Sequence, residues 1–335
     1  MRNRLFRWVA TVSIGSVTVT RPARLTGAAL CAALALIGAV WILKDLAALG
    51  SPTDLAWSWT GDPGTTYLVR GRVATSLADP LLLVVCVATA VAALRSRHAA
   101  SALVATGAVT LALRLPGLWA PGSGALVTAL LELALATGLV ATAAAGRRRA
   151  DGPHEQLPTR PRTGPAVTAG ILLAVGAVSV VLWEAYTAVE LPPEITVDRF
   201  LGGRSLMGPI LSPPPGWIAV ILVALYGTAA VSAFARARHT RAFGLLAGAF
   251  LTATGLALLA RVVRFELIPY FADARTVEQM YVLTAVLEVL GGIAVLVLLA
   301  GRGAPAATPN PYGPYGSYGS YGAPPAPPYP PPPGW

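Results

Sequence analysis

Charge is what this chain has least of. Only 12% of its 335 residues are Asp, Glu, Lys or Arg, while 55% are hydrophobic. Soluble domains carry about twice that charge fraction. So little polar surface cannot cover a water-facing exterior, and lipid becomes the expected solvent. Lysine is almost missing: Lys44 is the one lysine among 25 basic residues. Together with the Ala, Gly and Pro richness, this points to a GC-rich bacterial genome. The two cysteines, Cys31 and Cys86, fall inside apolar segments, which excludes a disulfide framework and leaves them as small buried hydrophobes. The three histidines, His98, His154 and His239, are not spaced with cysteine or carboxylate as metal ligands would be. A phosphate loop, HExxH, GxSxG and a dinucleotide fingerprint are all absent. "RFLGGRSLMG" is Gly-rich but has no strand before it and no Lys-Ser/Thr pair after it. The sequence therefore gives no reason to expect a metal, a cofactor or an enzyme.

What is present is a series of apolar runs. A spanning helix needs about 20 apolar residues. The runs predict eight spans, at Leu25–Leu49, Ala78–Leu94, Ala99–Leu118, Gly124–Ala145, Ala166–Val189, Trp217–Ala235, Ala242–Val263 and Val277–Ala300. The fold class expected is an all-α membrane protein. With the N-terminus inside, the inner segments hold 16 basic residues against two acids, Asp151 and Glu155. The outer segments and helix ends hold nine basic residues against 11 acids. That asymmetry is the positive-inside pattern and predicts both termini in the cytoplasm of a bacterial cell. It also accounts for the net charge of +10 without nucleic acid, which is not expected as a partner.

The second half of the chain repeats the first. "RSRH" at 95–98 recurs as "RARH" at 236–239, and "ATG" at 105–107 recurs at 253–255. "TALLEL" is echoed by "TAVLEV", with "AGR" following at 145–147 and 300–302, and "RGR" at 70–72 by "GGR" at 202–204. Order and topological position match, so we expect two tandem four-helix repeats. A unit with an even number of crossings keeps its orientation when copied. The repeats should then be related by an axis along the membrane normal, not by the inverted symmetry common in transporters. The divisions expected are an interfacial or cytoplasmic arm (1–24), a first repeat (25–146), a cytoplasmic linker (147–165), a second repeat (166–301) and a tail (302–335). Each repeat carries a long outer loop, near 50–77 and 190–216, where Pro, Gly and Asp suggest compact turns, short strands or interfacial helices. Trp57, Trp59 and Trp217 are expected to anchor at the headgroups.

Each echoed motif places a glutamate in mid-span, Glu132 and Glu288. A carboxylate there costs roughly 3 kcal/mol on insertion scales and should face the bundle with a partner. Counting about 1.5 Å per residue puts Arg114 and Glu132 at similar height, so an ion pair is expected. Arg261 and Arg264 fall near the outer headgroups instead, which leaves Glu288 to meet Thr252 or Thr254, or to cross to the other half. The glutamates read either as glue between helices or as the lining of a polar cavity between the repeats. "GLLAG" at 244–248 and "GG" at 291–292 suit close helix packing. Lys44, Asp45 and Glu184 read as solvated helix ends. Arg72, Arg204, Arg261, Arg264 and Glu184 form a candidate outer-face set.

The tail, "GAPAATPNPYGPYGSYGSYGAPPAPPYPPPPGW", sets Tyr312, Tyr315, Tyr318 and Tyr321 at every third position ahead of a polyproline run. Such a composition forms no core and is expected to be disordered with polyproline II character, available to dock a cytoplasmic protein. Tail and Ala/Arg-rich spans together resemble the multi-pass membrane proteins of GC-rich actinobacteria that carry Pro/Gly/Tyr-rich tails, a resemblance that implies no activity. Two functions are therefore expected. One is a non-enzymatic envelope scaffold with a docking tail, open to homo-oligomerisation. The other is a transporter or a binder of a small ligand or lipid, using a cavity between repeats that contains Glu132 and Glu288.

Overall fold

A computed structural model describes residues 17–61, 73–96, 99–119, 123–149, 161–202 and 208–301. Arg72, Arg204, the four tail tyrosines and most of the N-terminal arm lie outside the described residues. Among the described residues, ten α-helices follow in chain order. They are α1 (Arg21–Leu49), α2 (Pro52–Trp59), α3 (Ala78–Arg95), α4 (Ala100–Arg114), α5 (Ser123–Ala145), α6 (Thr163–Glu190), α7 (Pro193–Leu201), α8 (Pro215–Phe234), α9 (Thr240–Arg264) and α10 (Thr276–Ala300). Eight are long and apolar enough to cross a membrane, α4 with the help of the 3-10 turn Leu115–Leu118 that extends it. A helix satisfies its own backbone hydrogen bonds, which is why uninterrupted apolar runs take this form in lipid.

The two remaining helices, α2 and α7, sit in the long connections that follow α1 and α6. Both begin on proline at their first position, where the missing N–H would have had no partner anyway. Gly50 ends α1 in the left-handed region (φ 71°), which turns the chain sharply into α2.

The helices find neighbours in the same order on both sides of the linker. In the N-terminal half α1 packs on α3 and α5, and α4 packs on α5. In the C-terminal half α6 packs on α8 and α10, and α9 packs on α10. The seam between halves is made where α4 meets α9 and α8, and where α9 meets α3. Its core joins Leu82 and Leu113 to Leu222, Tyr226, Phe250 and Leu251, all buried. A separate cluster inside the N-terminal half holds both free cysteines with Leu34, Leu103 and Leu139. Large apolar side chains such as Leu36, Val84, Val127, Leu182, Val231 and Val297 point outward, a surface fit for acyl chains.

Two glycines set how closely the helices approach. A Cβ on Gly107 would lie 2.9 Å from the Ala136 carbonyl of α5, and one on Gly255 would lie 2.6 Å from the Val289 nitrogen of α10. These are the glycines of the two "ATG" triplets. The glycines of "GLLAG" likewise face α10, Gly244 against Leu299 and Gly248 against Val295 and Leu296.

At the end of the bundle opposite α2 and α7, β1 (Val17–Val19) pairs antiparallel with β2 (Arg147–Arg149), three residues each. Arg24 donates to the Ala93 and Leu94 carbonyls at the end of α3, which orients a cation at a helix C-terminus. Residues 21–24 of the arm expected through residue 24 belong to α1, which starts at Arg21.

Candidate functional site

The N-terminal half encloses a buried ion cluster. Arg114, at the end of α4, places its Nε 2.7 Å from Glu132 Oε2 of α5 and donates through Nη2 to Asp79 Oδ1 of α3. All three residues are at most 3% exposed. The remaining Nη1 donates to the Leu211 carbonyl at 3.0 Å, which reaches into the outer loop of the other half. Two carboxylates share one guanidinium, so the second negative charge needs other help. Asp79 receives it from the Ser76 N–H (2.6 Å) and hydroxyl (3.1 Å) at the N-terminus of α3, where the helix dipole favours an anion.

Glu288 is placed differently. It stands twelve residues from either end of α10, roughly 18 Å along the axis from each. Its side chain is 4% exposed, yet its Oε2 has no hydrogen-bond partner. Instead it lines a cavity of about 950 Å³ that runs from this depth to the loops at the α2 and α7 end of the bundle. The lower wall holds Phe250, Ala253, Thr254, Leu222 and Glu288, and the upper wall holds Trp183, Leu258, Arg261, Tyr281 and Glu184. The N-terminal half adds Leu81, Leu113, Arg114, Trp119 and Ala129, and the outer loops add Ser58–Gly61 and 208–215. This size suits a drug-sized ligand, and mixed aromatic, aliphatic and sparse polar walls are usual for such sites.

The polar groups around Glu288 are few. The Thr254 hydroxyl lies beside it but already donates to the Phe250 carbonyl at 2.9 Å. Tyr226 is fully buried nearby, its hydroxyl also without a hydrogen-bond partner. Thr252 does not turn to Glu288. It packs on Gly292, one turn further along α10, and donates to the Gly248 carbonyl. Arg261 does not reach Glu288 either: its guanidinium lies over the Tyr281 ring at 5.8 Å. Among the described residues, no ion pair reaches Glu288.

Glu132 and Glu288 therefore do not share one space. Glu132 is sealed behind Arg114, beside a gap of about 10 Å³, while Glu288 borders the large cavity. Residue register explains part of the difference. Seven residues past Gly107 comes Arg114, but seven past Gly255 comes Val262, which is fully buried and uncharged. With "RSRH" and "RARH" aligned, Asp79 matches Val220.

Several side chains depart from their expected places. Asp45 is not a solvated helix end. It is 3% exposed and accepts from the Ala74 and Thr75 N–H groups and the Thr75 hydroxyl at 2.5–3.1 Å. The segment from Val73 folds back over the end of α1 and supplies those donors. Lys44 does lie at the surface, over the Trp41 ring at 4.5 Å. Glu184 is half-buried at the cavity mouth and pairs with Arg199 of α7 at 2.8 Å. Trp217 is more than a headgroup anchor: its indole N–H donates to the Ala112 carbonyl at 2.8 Å, across the seam. Trp59 donates to Thr75 at 3.1 Å, and the Trp57 ring meets Arg264 at 4.7 Å.

Asp79, Tyr226, Trp183 and Tyr281 are the site residues that sequence reading passed over. Asp79 had a signal, since "SLAD" puts an acid in the first turn of a predicted span. Tyr226 and Tyr281 had none beyond lying in apolar runs. No family model matches the chain, and neither the curated proteins nor the solved structures contain a match to it.

Proposed function

We propose that this protein is a multi-pass protein of the bacterial cytoplasmic membrane that binds a small, largely apolar ligand in the outer cavity, without acting on it chemically. The observation that carries this reading is Glu288, a buried acid with an unpartnered oxygen on the wall of a cavity large enough for a ligand. A carboxyl kept at mid-span without a cation beside it is costly, and function is the usual reason to retain one. Below Glu288 the bundle is packed by Leu173, Tyr226, Leu251 and Val295, all fully buried, so the cavity is approached from the outer side.

In this reading the chain is a duplicated four-helix unit with both termini in the cytoplasm. The shared order of helix contacts in the two halves and the echoed motifs support the duplication, and the charge asymmetry supports the orientation. The N-terminal copy keeps its acid sealed in an ion cluster and serves as scaffold. The C-terminal copy keeps its acid open to the cavity.

Native mass spectrometry of the full chain released from membranes tests the reading. Wild type is expected to carry a bound molecule. Ala253→Trp, which puts an indole into the cavity, is expected to come out empty with the same thermal stability. A wild-type protein that is empty, and that takes up no amphiphile when offered one, would overturn it.

A further inference from the structure

The two mid-span glutamates show what this position in the fold requires. In the N-terminal half the carboxylate is met at 2.7 Å by a guanidinium arriving from the preceding span. In the C-terminal half the corresponding register position is Val262, and open volume borders the carboxyl instead. We infer that the occupant of the outer cavity is an organic cation, an ammonium or guanidinium on an apolar body, whose charged end descends to Glu288 and takes the part that Arg114 plays for Glu132.

The surroundings fit such a ligand. Glu288 and Gly255 share a height, since a Cβ on Gly255 would lie 2.7 Å from the Glu288 Cβ. Arg261 is six residues further along α9, about 9 Å nearer the outer face, so it does not compete for the carboxyl. The cavity's other described acid, Glu184, already holds Arg199. Between these levels the wall is Phe250, Leu222, Leu258 and Trp183, which suits an apolar body, while Tyr281 already faces the Arg261 guanidinium. The Thr254 hydroxyl, beside Glu288 and the Phe250 carbonyl, adds a second polar oxygen at the same depth.

This inference rests on the cavity being a binding site, and the test separates the two. Titrate 4-phenylbutylamine and its neutral counterpart 4-phenylbutan-1-ol into the full chain in phosphatidylcholine nanodiscs by calorimetry, subtracting empty discs. Wild type is expected to prefer the amine by about tenfold, the order of a hydrogen bond to a charged group. Glu288→Gln is expected to lose that preference, and Glu288→Asp to keep it. Should Glu288→Gln fail to fold, the wild-type ratio and Glu288→Asp still decide. Equal binding of amine and alcohol by wild type overturns the inference and leaves the cavity reading standing. A tenfold preference that survives Glu288→Gln also overturns it, since the cation would then be held elsewhere. Binding of neither compound overturns both.

Discussion

Arg114 Nε stands 2.7 Å from Glu132 Oε2, Nη2 of the same guanidinium meets Asp79, and all three residues are buried. Removing the cation leaves two buried carboxylates facing each other. Arg114→Met is therefore expected to cost about 3–5 kcal/mol, read as a large fall in melting temperature in detergent. The neutral triple variant Asp79→Asn, Arg114→Met, Glu132→Gln is expected to recover most of that loss, because no charge is then stranded. A triple variant as unstable as the single one would mean that the cluster acts through shape rather than charge.

Glu288 should behave in the opposite way. No ion pair among the described residues reaches it, so Glu288→Gln strands no other charge. In ligand-free protein the variant is expected to melt at or above the wild-type temperature. The comparison with Arg114→Met is informative because both changes replace one mid-depth ionisable side chain. A Glu288→Gln protein as unstable as Arg114→Met would place a partner on Glu288 within the fold.

How much of this was readable in advance follows from which forces act over short sequence distances. The eight spans are set by local apolar runs, and their predicted ends fall within about four residues of the helices seen. The height match of Arg114 and Glu132 needed only the rise of a helix and a short connection. Asp45 was misread because its donors, Ala74 and Thr75, lie 29 and 30 residues away on a segment whose path no periodicity sets. The separation of Glu132 from Glu288 was equally hidden. The two motifs are nearly the same, and what differs is the cation supplied by α4 and not by α9. The register offset between Arg114 and Arg261 was visible, but the cavity beside it needed the packing of α6, α8 and α9 in three dimensions.

The seam between halves depends on a small number of polar ties. Trp217 donates to the Ala112 carbonyl, Leu211 N–H donates to the Ala74 carbonyl at 2.9 Å, and Trp119 donates to the Leu201 carbonyl at 2.8 Å. Trp217→Phe keeps most of the ring and drops the donor. It is expected to lower stability by about 1 kcal/mol, a loss that thermal melting can resolve. Trp217→Ala also removes the edge-to-face contact with Trp119 at 5.8 Å and should cost several times more.

Gly255 is one of the tight points of the α9–α10 contact, and its test needs no assumption about a ligand. A methyl group there would meet the Val289 nitrogen at 2.6 Å and the Glu288 carbonyl carbon at 2.9 Å. Those are backbone atoms in mid-helix, which cannot swing aside as a side chain could. Gly255→Ala is thus expected to cost about 1–3 kcal/mol despite the better helix propensity of alanine. Gly164, with nothing within 4 Å of its Cβ position in the first turn of α6, is the matched control and is expected to tolerate alanine with no loss. A Gly255→Ala protein that melts like the Gly164→Ala control would show that α9 and α10 pack less closely than described here.

Orientation has its own measurement. Asp54 on α2 and Thr163 at the start of α6 are exposed at opposite ends of the bundle, while Cys31 and Cys86 are buried. A membrane-impermeant maleimide should therefore find little background in wild type. The positive-inside pattern of the sequence favours the linker side as the cytoplasmic one. Asp54→Cys is accordingly expected to label in intact cells, and Thr163→Cys only after the membrane is opened. The reverse pattern would put the cavity mouth inside the cell, where a ligand would have to come from the cytoplasm.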